Sequence, residues 1–105
     1  MTFQVFVEPE AKADLLRLYG YLLERAEYIE DLDMAERALQ AIEVALAALA
    51  KAPFIYRKAA GARSNLRREL VIPFGAAGYV LKYEIASPDQ VVVLAVRHQH
   101  EADYQ

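Results

Sequence analysis

The chain of 105 residues has no cysteine and no tryptophan, only four glycines and four prolines, and no surplus of basic charge. Without cysteine there can be no disulfide, no thiolate nucleophile and no cysteine-ligated zinc. That composition suits a reducing compartment such as the cytoplasm. A formal net charge of −3 argues against general affinity for nucleic acid, because binding phosphates takes an excess of lysine and arginine. The most apolar stretch, AIEVALAALA at residues 41–50, carries Glu43 and is shorter than the ~20 residues of a membrane-spanning helix. No charged-then-apolar leader opens the chain. The expectation is a cytoplasmic protein with no membrane association, folded as one domain over residues 1–105.

The apolar fraction of 56% can sustain a packed core. The charges are unevenly distributed. Residues 8–36 hold nine acids against three bases, whereas residues 57–68 hold Arg57, Lys58, Arg63, Arg67 and Arg68 with no acid. Such a basic island can serve as an anion site, meet an acidic partner, or face the acidic first part of the same chain.

Hydrophobic spacing divides the chain in two. TFQVFV alternates Phe3, Val5 and Val7 against Thr2, Gln4 and Phe6, the pattern of a strand. Pro9 suits the first turn of a helix, where its missing N–H costs nothing. Ala11, Leu15, Leu18, Tyr19, Leu22 and Ala26 then follow helical spacing, and Leu16 and Leu23 widen the stripe toward a second neighbour. YIEDLD interrupts the pattern. Asp33, with Glu36 three residues later, reads as the start of a second helix. Its seam is Ala35, Leu39, Ile42, Leu46 and Leu49, bordered by Ala38, Ala41, Ala45 and Ala48, and Pro53 ends it.

After an aperiodic basic connection, FIYRKAAGARSN, the period changes to two. LRRELVI sets Leu66, Arg68, Leu70 and Ile72 against Arg67, Glu69 and Val71. GYVLKYEI sets Tyr79, Leu81, Tyr83 and Ile85 against Val80, Lys82 and Glu84. Ser-Pro-Asp-Gln turns the chain into the β-branched run VVVLAVRH. The order β-α-α-β-β-β predicts an α+β fold, an antiparallel sheet with a helical hairpin on one face and a partly polar, open second face.

With this order, LRRELVIPFGAAGYVLKYEI and the ending VVVLAVRHQHEADY, the sequence resembles the RelE/ParE superfamily of bacterial toxins, nearest to its ParE-like plasmid-stabilisation branch, over roughly residues 2 to 104. The family's strand arginine and the apolar residue two along match Arg68 and Leu70. Its glycine-tyrosine strand entry matches Gly78 and Tyr79, its later strand tyrosine matches Tyr83, and its Arg-His-Gln run matches Arg97, His98 and Gln99. Many members carry an arginine after the strand tyrosine; here that position is Val80. The resemblance implies a toxin neutralised by a cognate antitoxin that wraps around it in a hetero-oligomer. ParE-like members inhibit DNA gyrase by binding, whereas RelE-like members cleave mRNA on the ribosome. Fold alone does not choose between them.

The resemblance implies three readings: first a non-enzymatic toxin that binds gyrase, second an mRNA interferase, and third an inactive complex-forming module. RNA cleavage through a 2′-hydroxyl needs a base, an acid and a cationic clamp. The metal-independent candidates for these roles are Arg68, Arg97, His98 and Tyr104, provided they converge. For partner binding the candidates are Arg67, Arg68, Lys82 and Arg97 on the sheet, with Tyr21, Leu23, Tyr28 and Ile29, which fall off the main stripe of the first helix. Tyr79 and Tyr83 share parity with Leu81 and are assigned to the core. His98 and His100, with Glu101 beside them, lack a distant third ligand, so neither a metal nor a cofactor is expected.

Overall fold

The computed structural model describes residues 2–75 and 77–99. Strand β1 (Gln4–Val7) leads into helix α1 (Pro9–Glu24) and helix α2 (Ile29–Lys51). A 3₁₀ turn at Pro53–Ile55 follows, then the two-residue strand β2 (Arg57–Lys58), β3 (Arg67–Phe74), β4 (Ala77–Ser87) and β5 (Gln90–His98). The strands form one sheet in the order β1-β5-β4-β3-β2.

The α+β arrangement and the β-α-α-β-β-β order are as expected, with two corrections to the sheet. It is mixed rather than antiparallel, since β1 runs parallel to β5 with Gln4 opposite Gln90 and Val7 opposite Val93. Short turns fix the direction only of the strands they join, and β1 is separated from its partner by the whole helical hairpin. The sheet also has a fifth strand. Arg57 and Lys58 pair with Glu69 and Arg68, within a stretch too short to show any period.

Alternation along the central strands builds the core. Tyr79, Leu81, Tyr83 and Ile85 of β4 face the helices with Val91, Val93 and Val96 of β5 and Ile72 of β3. Phe3, Val5 and Val7 pack against the same cluster, while Phe6 faces away and is exposed. The helices contribute Ala11, Leu18, Ala38, Ile42, Ala45 and Leu49. Ala38 and Ala45, read as bordering the seam of α2, lie within it, because their small side chains let the helix approach the sheet closely.

Three expectations about the helices are corrected. α1 ends at Glu24, leaving Ala26 outside it. α2 begins at Ile29, with Tyr28 rather than Asp33 as its N-cap residue. The Asp31 carboxylate accepts the backbone N–H groups of Glu27 (2.8 Å) and Tyr28 (3.0 Å), and Asp33 instead pairs with Arg37 one turn along. Acids in a first helical turn also meet the positive end of the helix dipole. Leu16 does not pack against a second neighbour; it is 75% exposed.

The second sheet face is polar in part but not bare. Val80 is fully buried and Glu69 nearly so. Gly78 is the second residue of β4, where a Cβ would overlap the Ile72 carbonyl oxygen across the ladder. No helix among the described residues is long and apolar enough to cross a membrane.

Candidate functional site

Arg68 lies on β3 opposite Tyr83, on the face that carries the core. Its Nε donates to the Asn65 carbonyl (2.8 Å), and its Nη1 donates to the carbonyls of Phe54 (2.9 Å) and Tyr56 (2.8 Å). The guanidinium also sits 5.5 Å from the centre of the Phe54 ring. Beside it, the buried Tyr83 hydroxyl donates to the Pro53 carbonyl at 2.5 Å. The two side chains thus satisfy three carbonyls of residues 53–56, where α2 has ended and the chain turns back to the sheet. Burial pushes the Tyr83 hydroxyl up to about 12, against a smaller downward pull from Arg68.

Arg97 and His98 are successive residues of β5, so their backbones aim them to opposite faces. Arg97 stands opposite Val80, and its Nη1 reaches Asp14 of α1 at 2.5 Å. Asp14 is buried, and its other oxygen accepts the Val96 N–H at 2.9 Å. β1 covers β5 only as far as Val93, so this carboxylate takes over the edge of β5 where its strand partner stops. His98 is on the core face, with its ring edge-on to Tyr79 at 5.7 Å. Arg68 and His98 therefore share a face but lie on opposite sides of β4 and four residues apart along it, opposite Tyr83 and Tyr79 respectively. Arg68, Arg97 and His98 do not come together in one cleft. Tyr104, His100 and Glu101 lie outside the described residues.

Arg67 and Lys82 do come together, on the face away from the helices. Strand register aligns Arg57, Glu69 and Lys82 in one row and Arg67 with Glu84 in the next. Arg57 pairs with the buried Glu69 at 2.8 Å, and Arg67 pairs with Glu84 at 3.2 Å. Where the basic island is ion-paired, the sheet supplies these carboxylates. Between Arg67, Lys82 and the turn Ala59–Ala62 lies a pocket of about 300 Å³, lined also by Arg68, Tyr83, Leu94 and Ala95. The ladder between β4 and β5 slips one residue at this point, with Lys82 opposite Ala95 and Tyr83 opposite Val93. That bulge is why both Leu94 and Ala95 line the pocket.

Tyr21, Leu23, Tyr28 and Ile29 are all exposed where α1 passes into α2, Tyr28 at 69% and Ile29 at 83%. Leu32 and Met34 extend the exposed apolar surface along α2. The Arg25 guanidinium lies 4.4 Å from the centre of the Tyr21 ring, so the tip already accommodates a cation on an aromatic face. Between the helices, the Tyr19 hydroxyl donates to Glu36 at 2.6 Å, and that bond to the carboxylate raises the Tyr19 pKa.

Sequence reasoning missed Asp14 and Glu69. Asp14 left a signal, because it follows Ala11 by three residues and precedes Leu18 by four, inside the apolar stripe of α1. A carboxylate there needs a buried partner. For Glu69 the signal was its parity with Arg67, and its partner Arg57 lay on a strand that was not visible.

The architecture is two helices over one face of a five-stranded sheet. The chain is similar to a solved structure of the chromosomal ParDE toxin–antitoxin system from P. aeruginosa, with a TM-score of 0.67 over 92% of this chain and 96% of that one. At 13% identity that likeness shows the fold. The family model of ParE toxins of type II toxin–antitoxin systems matches residues 5–103. Two relatives from Caulobacter vibrioides are each 38% identical. Toxin RelE3 matches over 93 residues, 89% of this chain and 90% of that protein, and Toxin RelE1 over 85 residues, 81% and 82%. The chain belongs to the ParE toxin family, within the RelE/ParE superfamily, and is the toxin of a type II toxin–antitoxin system.

Proposed function

We propose that this toxin acts without enzymatic chemistry, by binding DNA gyrase in the cytoplasm, and that a cognate antitoxin holds it inactive in a hetero-oligomer. The separation of Arg68, Arg97 and His98 is the observation that carries this reading. Cleavage of RNA needs base, acid and cation around one phosphate. Here Arg68 clamps three carbonyls, Arg97 is paired with Asp14, and His98 packs on Tyr79. Val80, in place of a further arginine, supports the same reading. The exposed tip at Tyr21, Leu23, Tyr28 and Ile29 offers apolar anchors of the kind that dominate protein interfaces.

The names of the relatives favour a second reading, a ribosome-dependent mRNA interferase. Gyrase supercoiling assayed with purified toxin, with and without antitoxin, separates the two when run beside cleavage of ribosome-bound mRNA. Antitoxin-reversible loss of supercoiling with intact mRNA is the expected result. Cleaved mRNA with unaffected gyrase would overturn it and return Arg68, Arg97, His98 and Tyr104 to the catalytic role. Supercoiling and mRNA both left intact would leave a complex-forming module.

A further inference from the structure

We propose that this toxin associates with itself head to tail. The acidic tip of the helical hairpin of one copy docks on the basic end of the next, where α2 passes into the sheet. The two patches lie at opposite ends of α2, whose 23 residues span about 34 Å at ~1.5 Å per residue. The partner is thus a second copy of this chain, and the proposal does not depend on the identity of the toxin's target.

Each patch combines exposed apolar side chains with charge of one sign. At the tip, Tyr28, Ile29, Leu32 and Met34 are exposed, and residues 21–37 hold six acids against two bases. Three of these acids are engaged within the fold: Asp31 with the backbone N–H groups ahead of α2, Asp33 with Arg37, and Glu36 with the Tyr19 hydroxyl. Arg25 lies over the Tyr21 ring. The other three acids, Glu24, Glu27 and Glu30, are all exposed. At the far end of α2, Phe54, Ile55 and Leu66 are exposed, and residues 51–68 hold six bases and no acid. Three of these bases are engaged as well: Arg57 with Glu69, Arg67 with Glu84, and Arg68 with its carbonyls. Lys51, Lys58 and Arg63 are exposed. Arg68 ties this patch together, because it donates to the carbonyls of Phe54 and of Asn65, the residue before Leu66.

Sign and position decide the mode of contact. A two-fold dimer sets a patch against its own copy, so tip would meet tip or basic end meet basic end, with like charges opposed. Tip on basic end instead sets Glu24, Glu27 and Glu30 against Lys51, Lys58 and Arg63. The same contact takes the apolar side chains of both patches out of water. Because the patches are at opposite ends of the molecule, a pair of copies still presents one of each, and the contact repeats along a chain of copies. Exposed ion pairs are weak and screened by salt, so the association is reversible and salt-sensitive. Within such a chain the tip of every copy but the terminal one is covered, which withholds that surface from other partners.

The test is sedimentation equilibrium of the full toxin from micromolar to millimolar concentration, at low and high salt, with urea midpoints to verify folding. The mass of the unaltered toxin should rise with concentration past that of a dimer and fall back toward the monomer at high salt. Two doubly substituted variants reverse the charge of one end each: Glu24→Lys with Glu27→Lys at the tip, and Lys58→Glu with Arg63→Glu at the basic end. Each alone should associate about tenfold more weakly, and an equimolar mixture of the two should regain the mass of the unaltered toxin. Should a charge variant fold poorly, Ile29→Ser and Ile55→Ser, both at exposed positions, weaken the same two patches through their apolar part. Loss of association in only one of the two charge variants, or a mass that stops at the dimer, would show a symmetric contact and overturn the proposal. An unaltered toxin that stays monomeric at every concentration, or whose association strengthens with salt, would overturn it too. Should that monomer lose antitoxin affinity on Lys58→Glu with Arg63→Glu, the basic end belongs to the antitoxin instead.

Discussion

Replacing Arg68 with alanine separates a structural arginine from a catalytic one. The change removes three hydrogen bonds from a charged donor to the carbonyls of Asn65, Phe54 and Tyr56, and a guanidinium stacked near Phe54. A bond to a charged group contributes about 1.5–3 kcal/mol where it is sheltered. The bond to Tyr56 is partly buried, whereas the other two are exposed, so water replaces much of what they lose. One bond at close to full value and two at a fraction of it come to about 3 kcal/mol, a large share of the ~5–15 kcal/mol that holds a domain folded. With a urea slope of about 1.5 kcal/mol/M the midpoint should fall by about 2 M. Arg68→Lys, with one ammonium for three carbonyls, should lose about half as much. Toxicity should then track the folded fraction, recovering at low temperature or on added stabilising osmolyte. An Arg68→Ala protein with an unchanged urea midpoint and abolished toxicity would refute this reasoning and make Arg68 a functional group.

Asp14→Ala should destabilise by about 2–3 kcal/mol, because it strips the Val96 N–H of its acceptor and removes the carboxylate paired with Arg97. Asp14→Asn should lose about half of that, since the amide oxygen still serves Val96; urea midpoints for the pair decide it. The hydroxyl of Tyr83, with a folded pKa of about 12 against an unfolded value near 10, stays neutral in the fold after it would ionise in the unfolded chain. Its contribution is fully present below pH 10 and is lost as pH rises from 10 toward 12, at a slope of about 1.4 kcal/mol per pH unit. Urea unfolding between pH 8 and 11.5 should therefore show a steeper loss for the unaltered protein than for Tyr83→Phe, and equal slopes would refute the assignment.

The parts of the fold legible in the sequence were those with long, regular periods. Alternation over Tyr79–Ile85 fixed which residues of β4 enter the core, and the 4, 3, 4, 3 spacing of α2 placed Ala35, Ile42 and Leu49 in it. What escaped was set by contacts distant in sequence or by elements too short to repeat. β2 has two residues, so nothing in its own composition marks it. β1 chooses its parallel partner 86 residues later through the path of the hairpin. The start of α2 depended on which of two nearby acids takes the backbone N–H groups. Asp33 was read as the start, but Asp31, at the third helical position, is the acid that faces the N–H groups of Glu27 and Tyr28.

The candidate site was harder to read because arginine has two uses that look the same in a sequence. Its planar fork binds phosphate oxygens and backbone carbonyls with the same geometry. Parity with Leu70 and Ile72 already hinted that Arg68 borders the core, and the ends of α2 and the 3₁₀ turn supply the carbonyls that such an arginine can satisfy. Arg67 has the opposite parity and with Lys82 forms a pocket rim, so adjacent arginines in one motif do different work. A basic island is therefore no measure of basic surface. Of its five cations, Arg57 and Arg67 meet Glu69 and Glu84, and Arg68 turns inward to carbonyls.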